Sequence, residues 1–431
     1  MKELIEMLNK ASEKIKSTNS VIQIISHLDC DGLCSASLIA SMLMELNKIF
    51  QITVVKGIKL EVIEEIKKRN PELVIFTDIG SGYLDLLKEL NCEIIVIDHH
   101  EIDGVASENM IHINPLNFDL ELSGSGTTYL LVKEVLQHNS LAPLAIVGTI
   151  GDANYSINSK IFETPQIEVE AGLNLFGRFS RPLYKALELS GIPEIGEPSK
   201  AIQFLSEIGI KPQKNGEWRT LSDLTLEEKR KLADALVKES LKYEKFKKEL
   251  IFGDILTLKQ FPDELKDAKE FATILNACAN MNEPAIGIAL CLGSKKALEY
   301  ARGIAKGYRK LIGNYLRWIE ENPNCIKQKD FATYILAGDN INENMIGTIV
   351  SMLFKPSEKT LIGLANSEDG IKVSARSKDI NIRDILVEAS RACGGSAGGH
   401  KQAAGATIPK GTEEKFIETC EKLLKEKLIN V

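Results

Sequence analysis

The sequence predicts an α/β protein of two lobes, a parallel-sheet N-terminal lobe and a smaller C-terminal one. A helical connector is expected to join them, with the active site in the cleft between. Three observations predict this. Short runs rich in Ile and Val alternate with helical patterns from about residue 1 to 160, as buried parallel strands and their crossover helices do. From about 160 to 260 the pattern turns helical and charged, and from 331 to 428 the alternation returns. At 431 residues the chain exceeds one ordinary domain, and the boundaries are expected at 1–200, 201–328 and 329–431. Hydrophobic residues make up 44%, enough for sizeable cores.

The elements follow in order. Met1 to Lys16 reads as an amphipathic helix; charged throughout, it lacks a signal peptide's apolar core. Ile22 to Ser26 reads as a strand running into His27-Leu28-Asp29-Cys30-Asp31-Gly32, and Gly32 to Asn47 as the next helix. Ile52 to Val55 is a strand and Glu61 to Arg69 a helix; Leu73 to Thr77 is a strand running into Asp78. Tyr83 to Leu90 is helical, and the strand Cys92 to Ile97 runs into Asp98-His99-His100. Gly124-Ser125-Gly126-Thr127-Thr128 opens a helix over Tyr129 to Gln137, and such a start can bind an anion. A fourth apolar run, Ala145 to Gly151, reads like the other three as a buried strand and runs into Asp152.

Leu226 to Leu250 reads as one long helix whose Lys and Glu residues form a solvated face, with a break around Phe261 to Asp267. In the helical stretch Ala297 to Glu320, Arg302, Lys306, Arg309, Lys310 and Arg317 share one side, opposite Leu311, Tyr315 and Trp318. That basic face could track a phosphate backbone, although a plain amphipathic surface helix has the same pattern. Thr333 to Leu336, Leu361 to Ala365 and Ile371 to Ala375 read as strands, Ile382 to Arg391 and Glu414 to Lys427 as helices. Lys372, Arg376, Lys378 and Arg383 concentrate positive charge there.

The chemistry lies where the strands end. Of six histidines, three sit in the clusters after apolar runs, and His400 sits in Gly398-Gly399-His400. Ligands of open α/β sheets bind beyond the carboxyl ends of the strands. His27, Asp29, Asp31, Asp78, His99 and Asp152 would bring two imidazoles and four carboxylates to one rim, more negative charge than a buried site tolerates without cations. Hard oxygen ligands with some imidazole suit Mn²⁺ or Mg²⁺. So many carboxylates suggest two metals sharing a ligand, roughly 3.5–4 Å apart, a pair suited to in-line displacement at phosphorus. Each motif alone is ordinary: an Asp after a strand usually caps a helix, and Asp-Gly usually marks a turn. Four of them in order within one α/β segment point to a site.

At these residues the sequence resembles the DHH phosphoesterase superfamily, through His27-x-Asp29-x-Asp31-Gly32, Asp78, Asp98-His99-His100 and Asp152. Its C-terminal part resembles the companion DHHA1 domain, through Ser374-Ala375-Arg376-Ser377 and Gly398-Gly399-His400-x-x-Ala403-Ala404-Gly405. The subgroup most similar is the RecJ-type single-strand nucleases in their short archaeal form. The resemblance implies that His27, Asp29 and Asp78 hold one metal and that Asp31, Asp78, His99 and Asp152 hold the other, Asp78 bridging. It implies catalytic roles for Asp98, which orients ligands, and for His100, close to the scissile phosphate. Arg376, Ser377, Gly398, Gly399 and His400 would bind substrate, Arg376 through its bidentate fork. Asn114-Pro115 matches a family turn and receives no catalytic role. Bacterial-type relatives carry a further OB-fold, whereas this chain stops soon after Gly405. Digestion is therefore expected 3′→5′ rather than 5′→3′.

A net charge of −7 excludes a generally basic nucleic-acid coat protein. The eight cysteines form no Cys-x-x-Cys pair, Cys30 and Cys34 read as small apolar packing residues, and a reducing cytoplasm is expected. No apolar run approaches membrane-spanning length. The expected function is a two-metal single-stranded DNA exonuclease of repair or replication. Two divalent cations are expected, Mn²⁺ ahead of Mg²⁺, and DNA is expected ahead of RNA. The resemblance implies a partner such as GINS or a repair helicase. Three rivals are an oligoribonuclease or cyclic-dinucleotide phosphodiesterase, an inactive replication scaffold and an inorganic pyrophosphatase.

Overall fold

A five-stranded parallel sheet organises the N-terminal part, in the order β2-β1-β3-β4-β5. The computed structural model describes residues 2–152, 164–243, 251–355 and 359–429. The sheet's elements run α1 (Lys2–Ser17), β1 (Ile22–His27), α2 (Cys30–Glu45), β2 (Phe50–Val55), α3 (Leu60–Arg69), β3 (Leu73–Thr77), α4 (Leu84–Leu87), β4 (Glu93–Ile97) and β5 (Met110–Ile113). Helices α5 (Gly124–Leu136) and α6 (Ala142–Gly151) follow and pack with α2. β3 is buried along its whole length and β1 and β4 nearly so, which is why they read as continuous apolar runs. α1 buries Leu4, Leu8, Ala11 and Ile15, one stripe at helical spacing.

The middle of the chain builds a second core. Its elements are β6 (Ile167–Leu173), α7 (Leu183–Glu188), α8 (Pro198–Glu207), β7 (Gln213–Lys214), β8 (Glu217–Trp218), α9 (Leu226–Ser240) and β9 (Phe252–Leu258). Leu187, Leu205, Leu232 and Ile251 are buried at its centre. Helices α10 (Ala268–Asn280), α11 (Pro284–Cys291) and α12 (Lys295–Glu321) come next. The C-terminal part comprises β10 (Ile326–Gln328), β11 (Ala332–Gly338), α13 (Ile346–Leu353), β12 (Thr360–Ser367), β13 (Gly370–Arg376), α14 (Ile382–Ala392), β14 (Ser396–Gly399), β15 (Ala403–Ile408) and α15 (Glu413–Ile429). Its mixed sheet has the order β10-β11-β12-β13-β15-β14, and Tyr334, Val373, Leu386 and Phe416 are buried in its core. Contacts group residues 1–279 and 284–298 into one unit, and 280–283 and 299–431 into the other. Among the described residues no helix is long and apolar enough to cross a membrane.

Several sequence expectations need correction. Ala145 to Gly151 is not a strand but the end of α6, and Asp152 is its C-cap. A short apolar run cannot distinguish buried strand from buried helix by periodicity. Packing decides here: a Cβ on Gly148 would come within 2.7 Å of the Asp31 carboxylate, so a small helical residue is needed there. The stretch from 160 to 260 is not helical throughout, because β6 and β9 pair antiparallel across it. The helix expected over Tyr83 to Leu90 shrinks to a 3₁₀ turn, Ser81–Tyr83, and one α-turn, Leu84–Leu87. α9 starts with a capping box between Thr225 and Glu228 and ends at Ser240; residues 244–250 of the expected helix lie outside the described residues. The sequence pattern gives no sign of β5, α10, α11, β10, α13, β14 or β15.

Candidate metal centre

The centre begins where β1 meets α2. Asp29 caps α2 with extended backbone, and its Oδ1 accepts from the Gly32 N–H at 2.8 Å. Its other oxygen then faces His27, with Nδ1 2.8 Å from Oδ2. Gly32 is required here, since a Cβ would run into the backbone carbonyl of His27. Asp31, one residue into α2 from Cys30, is buried. Its carboxylate accepts from the backbone N–H of Gly124 at 2.7 Å and of Ser125 at 3.0 Å. The glycine-rich start of α5 thus binds an anion of the protein itself.

Asp78 follows β3 with φ +56°, a left-handed conformation that Asp tolerates better than most residues. Its N–H donates to the Ile97 carbonyl at 2.9 Å, which ties it to the end of β4. The side chain is buried, and neither oxygen receives a directed hydrogen bond from the described residues. His99 Nε2 stands 3.1 Å from Oδ1 and His27 Nδ1 3.5 Å from Oδ2. Gly124 makes room for it, since a Cβ there would lie 2.7 Å from Asp78 Cβ. His99 also faces Asp31 and Asp152, each 3.9 Å away. Ligand atoms of His27, Asp29 and Asp78 cluster within 4.8 Å of one another, and so do those of Asp31, His99 and Asp152. Asp78 touches both clusters, through His27 and His99.

Asp98 holds this arrangement in place. Its Oδ2 accepts from the Ser81 N–H at 2.8 Å, its Oδ1 from the N–H groups of His99 and His100, and His100 Nδ1 lies 2.7 Å from Oδ1. The sequence reading missed the layer behind. Ser81 Oγ lies 2.9 Å from His112 Nε2 on β5, and Asn114 Nδ2 donates to Ser81 Oγ and to the His100 carbonyl, both at 2.8 Å. His112 is the histidine outside the motifs that joins them. Its place in an apolar run, Met110-Ile111-His112-Ile113, was the available signal.

Electrostatics divides the carboxyls in two. Burial would raise Asp29 and Asp98, but His27 beside the first and His100 beside the second hold both below the usual carboxylate range. Burial pushes Asp31, Asp78 and Asp152 up. Like charge adds to it: Asp29 and Asp31 act on Asp78, and Asp31 and Asp78 act on Asp152. Buried carboxyls pushed toward protonation by one another, with the Asp78 oxygens receiving no directed hydrogen bond from the described residues, are what divalent cations relieve. The donor set fits two such ions. Mn²⁺ added at pH 7 to chelator-treated protein is therefore expected to release protons, with affinity rising as pH rises. Without metal, folded carboxyls raised above their unfolded values lose stability as pH climbs past about 4. Titration in two buffers of different ionisation enthalpy measures the release; zero release would mean that Asp152, pushed up to about 10 by burial and by Asp31 and Asp78, is already ionised.

In the C-terminal unit, Arg376 ends β13 opposite Ala403 of β15. Its Nη1 donates to the Ala375 carbonyl at 2.8 Å. Ser377 is buried, its N–H donating to the Gln402 carbonyl and its Oγ accepting from Thr360. Gly398 and Gly399 pair with Gly405 and Ala404, and Gly399 has φ +121°. His400 turns the β14–β15 hairpin, its N–H donating to the Ala403 carbonyl. All five substrate-binding candidates thus lie on β13, β14 and the residues that follow them.

This architecture is a phosphoesterase fold, that of a metal-dependent hydrolase. The DHH family N-terminal domain matches residues 21–149, the DHH-CID domain 175–250 and the DHHA1 domain 328–426. An uncharacterized protein of Methanocaldococcus jannaschii is 31% identical over 99% of both chains. The chain belongs to the DHH family, as a RecJ-like DHH/DHHA1 protein. Among solved structures, Thermus thermophilus RecJ in complex with Mn²⁺ has a TM-score of 0.63 at 17% identity over 99% of this chain. The chain spans 55% of that protein, which is also known in complex with Mg²⁺. CDC45 of Entamoeba histolytica has a TM-score of 0.62 at 14% identity, with 98% of this chain and 99% of that one covered.

Proposed function

We propose that the protein is a single-stranded DNA exonuclease that hydrolyses phosphodiesters from a strand end with two divalent cations, Mn²⁺ ahead of Mg²⁺. Asp78 carries the reading: a buried carboxylate with two oxygens lacking donors stands between His27 with Asp29 and His99 with Asp31 and Asp152. Held by those six residues, with Asp78 shared, the cations would supply a nucleophile at neutral pH and offset charge on the phosphoryl oxygens. Asp98 fixes the His100 ring through Nδ1, which presents Nε2 on the ring's other side to a phosphate. Residues 1–200 then carry the chemistry and residues 329–431 the strand, with Arg376, Ser377, Gly398, Gly399 and His400 on phosphate. The likeness to RecJ and CDC45 supports nucleic acid as ligand and a link to replication or repair.

Digestion of single-stranded DNA and RNA of several lengths in Mn²⁺, labelled at either end, tests the reading. Stepwise ladders on long DNA that begin at the 3′ end are expected. Activity confined to RNA of a few nucleotides would replace the reading with an oligoribonuclease, and binding without cleavage would replace it with a scaffold. Arg376→Ala and His400→Ala are each expected to weaken strand affinity about tenfold and to leave Mn²⁺ affinity unchanged. If both keep wild-type strand affinity, the C-terminal assignment fails.

A further inference from the structure

A cavity of about 210 Å³ lies in the unit formed by residues 280–283 and 299–431, away from the metal ligands in sequence. Three separate segments make it: the turn that ends α10, the middle of α12 and the loop after β11. Four asparagines line it, Asn280, Asn282, Asn342 and Asn344. Tyr315, Leu311, Met281 and Met345 supply its apolar surface, and no charged side chain lines it.

Local bonding holds the frame. Asn280 Nδ2 donates to Tyr308 OH at 3.2 Å, and Tyr308 OH lies 3.0 Å from Thr348 Oγ1. Tyr315 OH accepts from the Asn342 N–H at 3.3 Å, and Asn342 Oδ1 accepts from the Asn344 N–H at 2.9 Å. Asn282 has φ +58°, which Asn tolerates and which tightens the turn. Among the described residues, no hydrogen bond engages the carboxamides of Asn282 and Asn344. Their donor and acceptor atoms thus remain for a ligand.

We infer that this cavity receives one nucleobase of a bound single strand. A carboxamide sets a donor beside an acceptor, which matches a base edge in the way Asn pairs with adenine. Tyr315 offers a ring face and the two thioethers polarisable contacts, the means by which unpaired bases are held. The volume suits one base and the missing charge suits an uncharged heterocycle rather than phosphate. The exposed Arg302, Lys306, Arg309 and Arg317 occupy the other side of α12 from Leu311 and Tyr315. The inference rests on the proposed nucleic-acid ligand and adds a base-recognising subsite to it.

Affinity for a single-stranded 12-mer is measured in EDTA, with one abasic residue moved through the strand. At one position, removal of the base is expected to weaken wild-type binding about tenfold. Tyr315→Leu and Asn344→Ala are expected to bind the intact strand that much more weakly and to lose the positional dependence, whereas Tyr315→Phe keeps it. Melting temperatures and Mn²⁺ affinities equal to wild type exclude a general loss of fold. A flat abasic scan in wild type, or an unchanged scan in both variants, overturns the subsite. Digestion in Mn²⁺ together with a flat scan removes the subsite alone. A positional scan without digestion keeps the subsite and removes the nuclease reading.

Discussion

Asp78→Ala is expected to lower phosphodiester hydrolysis by more than about 1000-fold, beyond the loss typical of a group behind the metal ligands. The fold should survive. Asp78 is buried, its carboxyl is pushed well up by burial and by Asp29 and Asp31, and its oxygens gain no directed hydrogen bond from the described residues. Such a group contributes little to the metal-free protein, so its removal costs little there. Alanine is strained at φ +56°, and Asp78→Asn is the companion variant because Asn keeps the left-handed backbone and the shape while losing the charge. Thermal unfolding separates the effects. In chelator, both variants are expected to melt within a few degrees of wild type. In Mn²⁺, wild type is expected to gain stability that both variants lack, since a ligand that binds only the folded state stabilises it. A wild-type rate in either variant would end the two-metal assignment.

Gly32→Ala is expected to do the reverse, destroying the centre without removing a ligand. Its added methyl would meet the His27 carbonyl oxygen and lie 2.7 Å from the carbonyl carbon. Neither side can yield. The Gly32 N–H donates to Asp29 at 2.8 Å, and the Gly32 carbonyl accepts from Ser26 Oγ at 2.7 Å, so the residue is tied at both ends. Any shift moves His27 or Asp29, both ligand candidates. A stability loss of about 3 kcal/mol is expected, at the upper end of overpacking costs, together with loss of Mn²⁺ binding. Gly313→Ala on α12 is the control, because nothing lies within 4 Å of its Cβ position. There, alanine is expected to stabilise by about 0.5–1 kcal/mol through helix propensity. Equal melting temperatures for Gly32→Ala and wild type would show that the β1–α2 connection yields where its hydrogen bonds say it cannot.

Much of the N-terminal sheet was legible. β1, β3 and β4 are buried almost throughout, so their sequences are continuous apolar runs bounded by polar residues. The rule that ligands lie past the carboxyl ends of parallel strands then singled out His27, Asp78 and Asp98 with His99. Asp152 was legible as a candidate and illegible in its setting, because Ala142 to Thr149 is buried throughout and leaves no exposed polar face to set a period. β6 does alternate in sequence, Ile167, Val169, Ala171 and Leu173 against Glu168, Glu170 and Gly172. But it and β9 lie in a stretch whose charged, helical character dominates the pattern, and Val169 is as exposed as Glu168 and Glu170. β14, Ser396 to Gly399, lacks the branched and aromatic residues that mark strands, and β15 has them only at its end, in Thr407 and Ile408.

By itself the sequence determined the doubly alternating α/β pattern, the strand ends that carry His27, Asp78 and His99, and the family, because each depends on residues close together in the chain. Only the tertiary structure decided who faces whom. Asp31 takes the amides of Gly124 and Ser125, more than 90 residues away. His112 and Asn114 meet Ser81 behind Asp98, and three distant segments close the asparagine-lined cavity. Periodicity reports how a residue is buried, but not against what. That second quantity is set by long-range packing, where shape, hydrogen bonding and charge are satisfied together.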